Sequence, residues 1–186
     1  MKKFLLGTMM LLAAGTSFAQ TDYLTITPKD GALKAGAETE ITVGIVAQNY
    51  DWYSGMEVLI KMPEGLDLAP IDSTYDRRND VWSYTYIKAL ETILADKFSI
   101  TSKWVPVGDD SNESGLNELR IIVVSMDGKV FPYYDKVNEN LFAFKVKASD
   151  KMQTGAVPVT LTALASHPVE GGSEGVDFAV DRKSVV

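Results

Sequence analysis

The chain has 186 residues, no cysteine and a single histidine, and its formal net charge at pH 7 is −7. The lack of cysteine excludes thiol catalysis, disulfide bonds and cysteine-based zinc sites, and one histidine excludes a histidine-rich metal site within the chain. Nucleic acids and anionic membranes require a positive surface, so we expect neither as a partner of so acidic a chain.

The first 19 residues have the features of a secretory signal peptide. Two lysines precede the apolar stretch FLLGTMMLLAAG, and small residues stand just before Gln20. The apolar stretch is shorter than the ~20 residues of a membrane-spanning helix, so cleavage is favoured over anchoring. We predict that residues 1–19 are removed and that residues 20–186 form one domain. The mature protein would be exported, either periplasmic or extracellular, with no membrane insertion.

The rest of the chain has a dominant period of two, which is the spacing of a strand with one buried face. Turn signals such as PKDG, KMQTG and EGGSEG separate the alternating segments. The predicted inward positions are Leu24 and Ile26; Ile41, Val43, Ile45 and Ala47; Met56, Val58, Ile60 and Met62; Phe142, Phe144, Val146 and Ala148; Val157, Val159, Leu161 and Ala163; and Val176, Phe178 and Val180. Many short strands with turns between them predict an all-β fold, either a sandwich or a barrel.

The segment MPEGLDL, which follows the strand GMEVLIKM, predicts a turn back to the core. Pro63 has no backbone N–H to donate, so it ends the strand, and Gly65 supplies the turn. Leu66 and Leu68 are then expected to return to the apolar interior.

One strand differs from the others because both of its faces are apolar. This is LRIIVVSM, Leu119–Met126. Strands buried on both faces have such continuous apolar runs, so we predict a central strand that is covered on both sides.

One segment has helical spacing instead. Within YIKALETILADK, Tyr86–Lys97, the apolar positions Ile87, Leu90, Ile93 and Leu94 favour a short surface helix. The alternative is a strand that continues from VWSYTY. The polar segments 69–80 and 107–118 are predicted to be long loops.

These segments resemble, in the same order, those of the cohesin-like domains of secreted bacterial proteins. AGAETEITVGIVAQN resembles the family's opening glycine and valine-rich strand, MPEGL its Pro-x-Gly-Leu turn, and LRIIVVSMDG its central strand. NENLFAFKVKASDKMQTGAVPVTLTAL resembles its paired strands, and EGVDFAV its closing strand. The resemblance extends over residues 22–182. It implies a two-sheet jelly-roll β-sandwich of about nine strands, into which the predicted helix is inserted.

The resemblance also implies a class of partner. Cohesins bind a dockerin module through one sheet face, so a protein partner is expected, although no residue motif here identifies the contacts. The jelly roll is related in shape to some carbohydrate-binding modules, which makes a polysaccharide the alternative partner.

Three aromatic residues are the candidate ligand-binding residues. Trp82, Tyr84 and Tyr86 alternate in VWSYTY and share one face of an extended segment. Such a row either stacks on sugar rings or anchors a protein partner. The alternative is that the rings pack on the core, as aromatic side chains usually do. Two further aromatic clusters beside turns are weaker candidates: Tyr50, Trp52 and Tyr53, and Phe131, Tyr133 and Tyr134.

The sequence predicts no metal site, cofactor or catalytic residue. Asp110–Gly115, DSNESG, resembles the opening of a calcium loop, but the twelfth position is Ile121 where such a loop has glutamate, so a solvated turn is favoured. No G-x-S-x-G elbow or P-loop occurs, and we assign the lone His167 to a loop or strand end.

The sequence therefore favours an exported, non-catalytic binding domain. Its role would be protein–protein association at the cell envelope or outside the cell, with glycan-degrading machinery as a possible setting. Two alternatives stay open: a carbohydrate-binding module that uses the aromatic row, and a structural subunit that assembles by strand exchange or edge pairing.

Overall fold

The computed structural model describes residues 22–30, 33–46, 52–90, 92–131, 138–152, 155, 158–169, 172–177 and 179–180. The predicted signal peptide, residues 1–19, lies outside these ranges. Within them, no helix has both the length and the apolar character needed to span a membrane.

The described residues form thirteen strands and one short helix. The strands are β1 Tyr23–Pro28, β2 Glu38–Val46, β3 Gly55–Met62, β4 Leu66–Ala69, β5 Asp72–Asp76, β6 Val81–Thr85, β7 Ile87–Ala89, β8 Phe98–Val105, β9 Asn117–Ser125, β10 Asn138–Ala148, β11 Thr160–Val169, β12 Gly172–Asp177 and β13 Ala179–Val180. The helix α1 is Thr92–Lys97. About nine strands were predicted, and the larger number arises from short edge strands and from the extra pair β5 and β6.

The strands form two main sheets and one separate hairpin. The first sheet has the order β13-β1-β2-β10-β4, and β7 also pairs with β10. The second sheet has the order β12-β11-β3-β9-β8. Strands β5 and β6 pair only with each other. Apart from the parallel pair β1 and β13, the pairs among the described strands are antiparallel.

The inward residues of both sheets form one apolar core, which confirms the predicted all-β sandwich. Alternate residues of a strand point to opposite faces, so each sheet contributes every second side chain. The predicted inward residues that are buried are Leu24, Ile26, Ile41, Val43, Ile45, Met56, Val58, Ile60, Met62, Phe142, Phe144, Val146, Ala148, Val159 and Leu161. Ala47, Val157 and Phe178 lie outside the described residues.

The turn after β3 forms as predicted. Gly65 has φ of 92°, a conformation that favours glycine. A Cβ at this position would lie 2.5 Å from the backbone nitrogen of Met152, so only glycine fits. The Gly65 carbonyl accepts a hydrogen bond from the Ser149 N–H at 2.7 Å, and Leu66 is fully buried.

The helix predicted within Tyr86–Lys97 forms only in the second half of that segment, and the prediction is wrong for the first half. Ile87–Ala89 is the strand β7, which pairs with residues 142–144 of β10. Helix α1 begins only at Thr92, and its Leu94 packs into the core. The hydrogen-bonding edge of β10 is available to this segment, and that tertiary pairing overrides the local helical spacing.

The prediction that both faces of Leu119–Met126 are covered is wrong. Strand β9 is indeed central, between β3 and β8, and its Leu119, Ile121 and Val123 are buried. Its outward residues Ile122 and Val124 are exposed. No described element lies over them, so the apolar outer face of β9 is a surface feature.

Candidate binding surfaces

The outer face of the second sheet carries a shallow groove on its central strands. Strand β3 lies between β11 and β9, and Gly55 of β3 is opposite Val124. The next outward residue of β3, Glu57, is opposite Leu164 on one side and Ile122 on the other. These five residues line a depression of about 440 Å³, which we call the sheet groove.

The apolar side chains of the sheet groove face solvent. Ile122, Val124 and Leu164 are 39%, 51% and 48% exposed. Gly55, which has no side chain, lies beside them and is itself buried. The space above Gly55 is tight for a larger residue, since a Cβ there would lie 3.1 Å from the Val123 carbonyl oxygen. Clustered exposed aliphatic side chains with a polar rim are typical of interaction surfaces.

Two ion pairs join β9 to β3 on the outer face that carries the sheet groove. The Arg120 Nε lies 3.2 Å from Glu57 Oε1, and the Lys61 Nζ lies 3.3 Å from Glu118 Oε1. Hydrogen bonding from the Ser114 hydroxyl, followed by the Lys61 ammonium, lowers the pKa of Glu118. Glu57 and Arg120 therefore place both signs of charge beside Ile122, and the pair Lys61 and Glu118 lies further along the same two strands.

Strands β5 and β6 form a separate hairpin, residues 72–85, which we call the aromatic hairpin. Tyr75 is opposite Trp82 and Ser73 is opposite Tyr84, so these side chains share one face. Tyr75, Trp82 and Tyr84 are 40%, 55% and 53% exposed. The ring centroids of Tyr75 and Trp82 are 5.1 Å apart, and those of Trp82 and Tyr84 are 6.5 Å apart with planes 16° from parallel. The hairpin thus presents three rings to solvent.

Hydrogen bonds in the turn hold the shape of the aromatic hairpin. The Tyr75 hydroxyl donates to Asp80 Oδ1 at 2.5 Å, which raises the pKa of Tyr75. Asp76 accepts from the Arg78 N–H at 2.8 Å and from the Asn79 side-chain amide at 2.7 Å. Both bonds lower the pKa of Asp76, and the bond from Arg78 has the larger effect. Asp80 has φ of 53°, a left-handed conformation that aspartate tolerates.

The predicted row Trp82, Tyr84 and Tyr86 corresponds only in part to the observed surface. Trp82 and Tyr84 lie side by side and are exposed, whereas Tyr86 follows the end of β6 and is only partly exposed. The third exposed ring is that of Tyr75, which lies opposite Trp82 on the neighbouring strand. It was missed because residues 69–80 were predicted to be a loop, and that prediction is wrong for β5. The sequence signal was present, since Tyr75 and Trp82 stand symmetrically about RRND, residues 77–80.

The two other aromatic clusters contribute to packing. Tyr53 and Phe131 are buried, form an isolated bridge and have ring centroids 6.1 Å apart. Phe98 contacts Phe131 edge to face at 5.2 Å, and the Tyr53 hydroxyl donates to the buried Asp22 at 2.7 Å. Trp52 is exposed. The other members of these clusters, Tyr50, Tyr133 and Tyr134, lie outside the described residues.

The segment Asp110–Gly115 lies in the loop between β8 and β9, and the Asn112 side chain organises it. The amide nitrogen of Asn112 donates to three backbone carbonyls, and its oxygen accepts from the N–H groups of Ser114 and Gly115 at 3.0 and 3.2 Å. Across the described ranges, no three histidine, aspartate or glutamate side chains are grouped so that they could hold a metal ion. The backbone of His167 belongs to β11.

Solved structures share this architecture. A type II cohesin from Bacteroides cellulosolvens is 12% identical, with a TM-score of 0.55 and coverage of 88% of this chain and 98% of that one. A cohesin module from a family 33 glycoside hydrolase of Clostridium perfringens is 17% identical, with a TM-score of 0.53 and coverage of 89% and 100%. The sixth cohesin of scaffoldin B from Acetivibrio cellulolyticus, solved in complex with a Cel5 dockerin, is 10% identical, with a TM-score of 0.50 and coverage of 89% and 97%.

Similarity at the level of sequence is much weaker than this structural similarity. No model of a known protein family matches the chain, and no curated protein sequence matches it. At identities of 10–17% the agreement concerns the path of the backbone and not the side chains on its surface. It extends nevertheless over nearly the whole length of each cohesin module. In its architecture, the chain is therefore a cohesin-like β-sandwich domain.

Proposed function

We propose that this protein is an exported, non-catalytic domain that binds a protein partner through the sheet groove. The observation that carries the proposal is the exposure of Ile122, Val124 and Leu164 on the outer face of the second sheet. Burial of an aliphatic side chain contributes up to about 1.5–3 kcal/mol, so these three neighbouring residues provide the apolar core of an interface.

The arrangement of charge at the rim supports a protein partner. Glu57 and Arg120 place both signs of charge next to the apolar centre. Protein interfaces combine an apolar centre with a polar rim, and the rim charges fix register and exclude wrong partners. A polysaccharide, in contrast, offers few aliphatic groups to an aliphatic patch.

The structural comparison supports a dockerin-like partner. The scaffoldin B cohesin, a domain with the same architecture, was solved with a dockerin bound. We propose that the partner here is a dockerin-like protein and that the complex belongs to glycan-degrading machinery. The signal-like first 19 residues support export, and the absence of any recognisable catalytic motif supports a non-catalytic role.

A charge placed in the sheet groove tests the proposal. The variant Ile122→Glu buries a carboxylate at the interface, while the matched variant Thr27→Glu adds the same charge to the exposed Thr27 of the first sheet. Proteins captured from the envelope and culture medium by wild type and Thr27→Glu, but not by Ile122→Glu, are the candidate partners. With a purified partner, calorimetry should show binding weakened by Ile122→Glu at least about tenfold.

Three results would contradict the proposal in separable ways. Equal binding by Ile122→Glu and wild type would exclude the sheet groove as the interface. Release of product from a glycan by the purified protein would exclude a non-catalytic role. Amino-terminal sequencing of the exported protein is expected to begin at Gln20, and a mature protein that retains residues 1–19 would contradict cleavage.

A further inference from the structure

The aromatic hairpin is a second exposed surface, and the sheet groove does not account for it. Every residue from Asp72 to Thr85 is exposed, and the two strands pair with each other but with neither main sheet. A lone two-stranded hairpin is marginally stable in water. Because the whole hairpin is exposed, its three large aromatic side chains do not pack into the core. A binding role accounts for their position.

The three rings are held in place before any ligand arrives. Tyr75 and Trp82 form a cross-strand pair, a contact that stabilises a hairpin, and the Tyr75 hydroxyl is bonded to Asp80. The Asp76 carboxylate closes the turn through the Arg78 N–H and the Asn79 amide. A prearranged surface loses little conformational freedom on binding, so a shallow contact can still be productive.

The composition of the aromatic face indicates the class of ligand. Its strand residues are Ser73, Tyr75, Trp82 and Tyr84, so it offers aromatic rings and hydroxyl groups but no aliphatic side chain. A sugar ring presents a face of C–H groups that packs on an aromatic ring, and its hydroxyl groups bond to polar side chains at the edge. Tyrosine and tryptophan combine both properties, an apolar ring and a polar tip.

The charge of the hairpin favours a neutral ligand. Asp72, Asp76 and Asp80 outnumber Arg77 and Arg78, so the hairpin has a small negative net charge, as the whole chain does. Aromatic rows that bind single-stranded nucleic acid lie in positively charged grooves, which this surface is not. An acidic polysaccharide would be repelled for the same reason. We propose that the aromatic hairpin binds a neutral polysaccharide chain on the rings of Tyr75, Trp82 and Tyr84.

Affinity electrophoresis of the full exported protein tests this proposal. The gels contain soluble neutral polysaccharides, namely hydroxyethyl cellulose, xylan, glucomannan and laminarin, or polygalacturonate as the acidic comparison. We expect retardation of the wild type by at least one neutral polymer and not by polygalacturonate. Each of Trp82→Ala and Tyr84→Ala should weaken binding by up to about tenfold, and the double variant should not be retarded.

Two control variants distinguish binding at the aromatic face from binding elsewhere on the domain. Val81→Ala changes an exposed side chain on the opposite face of β6, and Ile122→Glu disrupts the sheet groove. Both should bind the polysaccharide as the wild type does, and circular dichroism should show the same fold for all variants. The proposal is overturned if no neutral polymer in the panel retards the wild type, if polygalacturonate does so more strongly, or if Val81→Ala has the same effect as Trp82→Ala. It is also overturned if the hairpin variants lose a protein partner and keep the polysaccharide.

Discussion

The sheet groove and the aromatic hairpin are both exposed and apolar, but they are supported in different ways. The groove lies on β3, β9 and β11, whose other faces build the core through residues such as Val58, Ile121 and Leu161. The hairpin has no second face in the core and depends on its own cross-strand rings and turn hydrogen bonds. The groove is therefore as stable as the whole domain, whereas the hairpin has only local stability.

Amide hydrogen exchange should show the largest difference between the two regions. Amides of β9 are expected to exchange only through global unfolding, which costs about 5–15 kcal/mol in typical domains. Amides of β5 and β6 should exchange through local opening that costs much less than global unfolding, so the rates should differ by several orders of magnitude. Equal protection of the two regions would show that the hairpin is packed against the sandwich.

Substitutions at two neighbouring residues distinguish the buried face of β9 from its exposed face. Ile121 is fully buried and Ile122 is exposed, and both are isoleucine in β9. Ile121→Ala should lower the free energy of unfolding by about 2–5 kcal/mol because it leaves a cavity. Ile122→Ala should change it by less than about 1 kcal/mol. Chemical denaturation measures both values, and a large loss for Ile122→Ala would mean that the outer face is covered.

The two ion pairs between β3 and β9 should differ slightly in their contribution to stability. The side chains of Lys61 and Glu118 are 34% and 18% exposed, whereas those of Arg120 and Glu57 are 50% and 45% exposed. Glu118→Gln should lower the free energy of unfolding by up to about 1 kcal/mol, and Glu57→Gln should be close to neutral. Denaturation at low and high salt measures the difference, and a larger effect of Glu57→Gln would reverse this ranking.

The smallest expected effect is the loss of stability of the hairpin turn when Asp76 is protonated at low pH. The hydrogen bonds from Arg78 and Asn79 lower the pKa of Asp76 below its ordinary value of 3.8. The folded turn is thus favoured above that value, and the contribution is lost as the pH falls through the lower, folded pKa. NMR titration of the Asp76 carboxyl carbon should show the lowered midpoint. Asn79→Ala should move it upward, and a midpoint at or above 3.8 in the wild type would contradict the turn geometry.

The two surfaces also differ in how far the sequence predicted them. Trp82 and Tyr84 were identified by their alternation alone, but Tyr75 was not, because its place in the row depends on the pairing of β5 with β6. The aliphatic groove residues Ile122 and Val124 were noticed and then assigned to a covered strand face. An apolar run indicates that a strand face is covered. It does not distinguish cover by the domain's own core from cover by a partner molecule.

The sequence pattern by itself determined the all-β class, the inward residues of the main strands and the turn at Pro63 and Gly65, and only the resemblance to cohesin-like domains favoured a sandwich over a barrel. These features depend on local chemistry: a period of two, a missing N–H and a positive φ act within a few residues. Only the tertiary structure decided that Ile87–Ala89 is a strand, that Tyr75 meets Trp82 and that the outer face of β9 is open. Each of these depends on which segments pair with or cover one another. The partner of β7 is β10, which is distant in the chain, and any segment that could cover the face of β9 would also be distant.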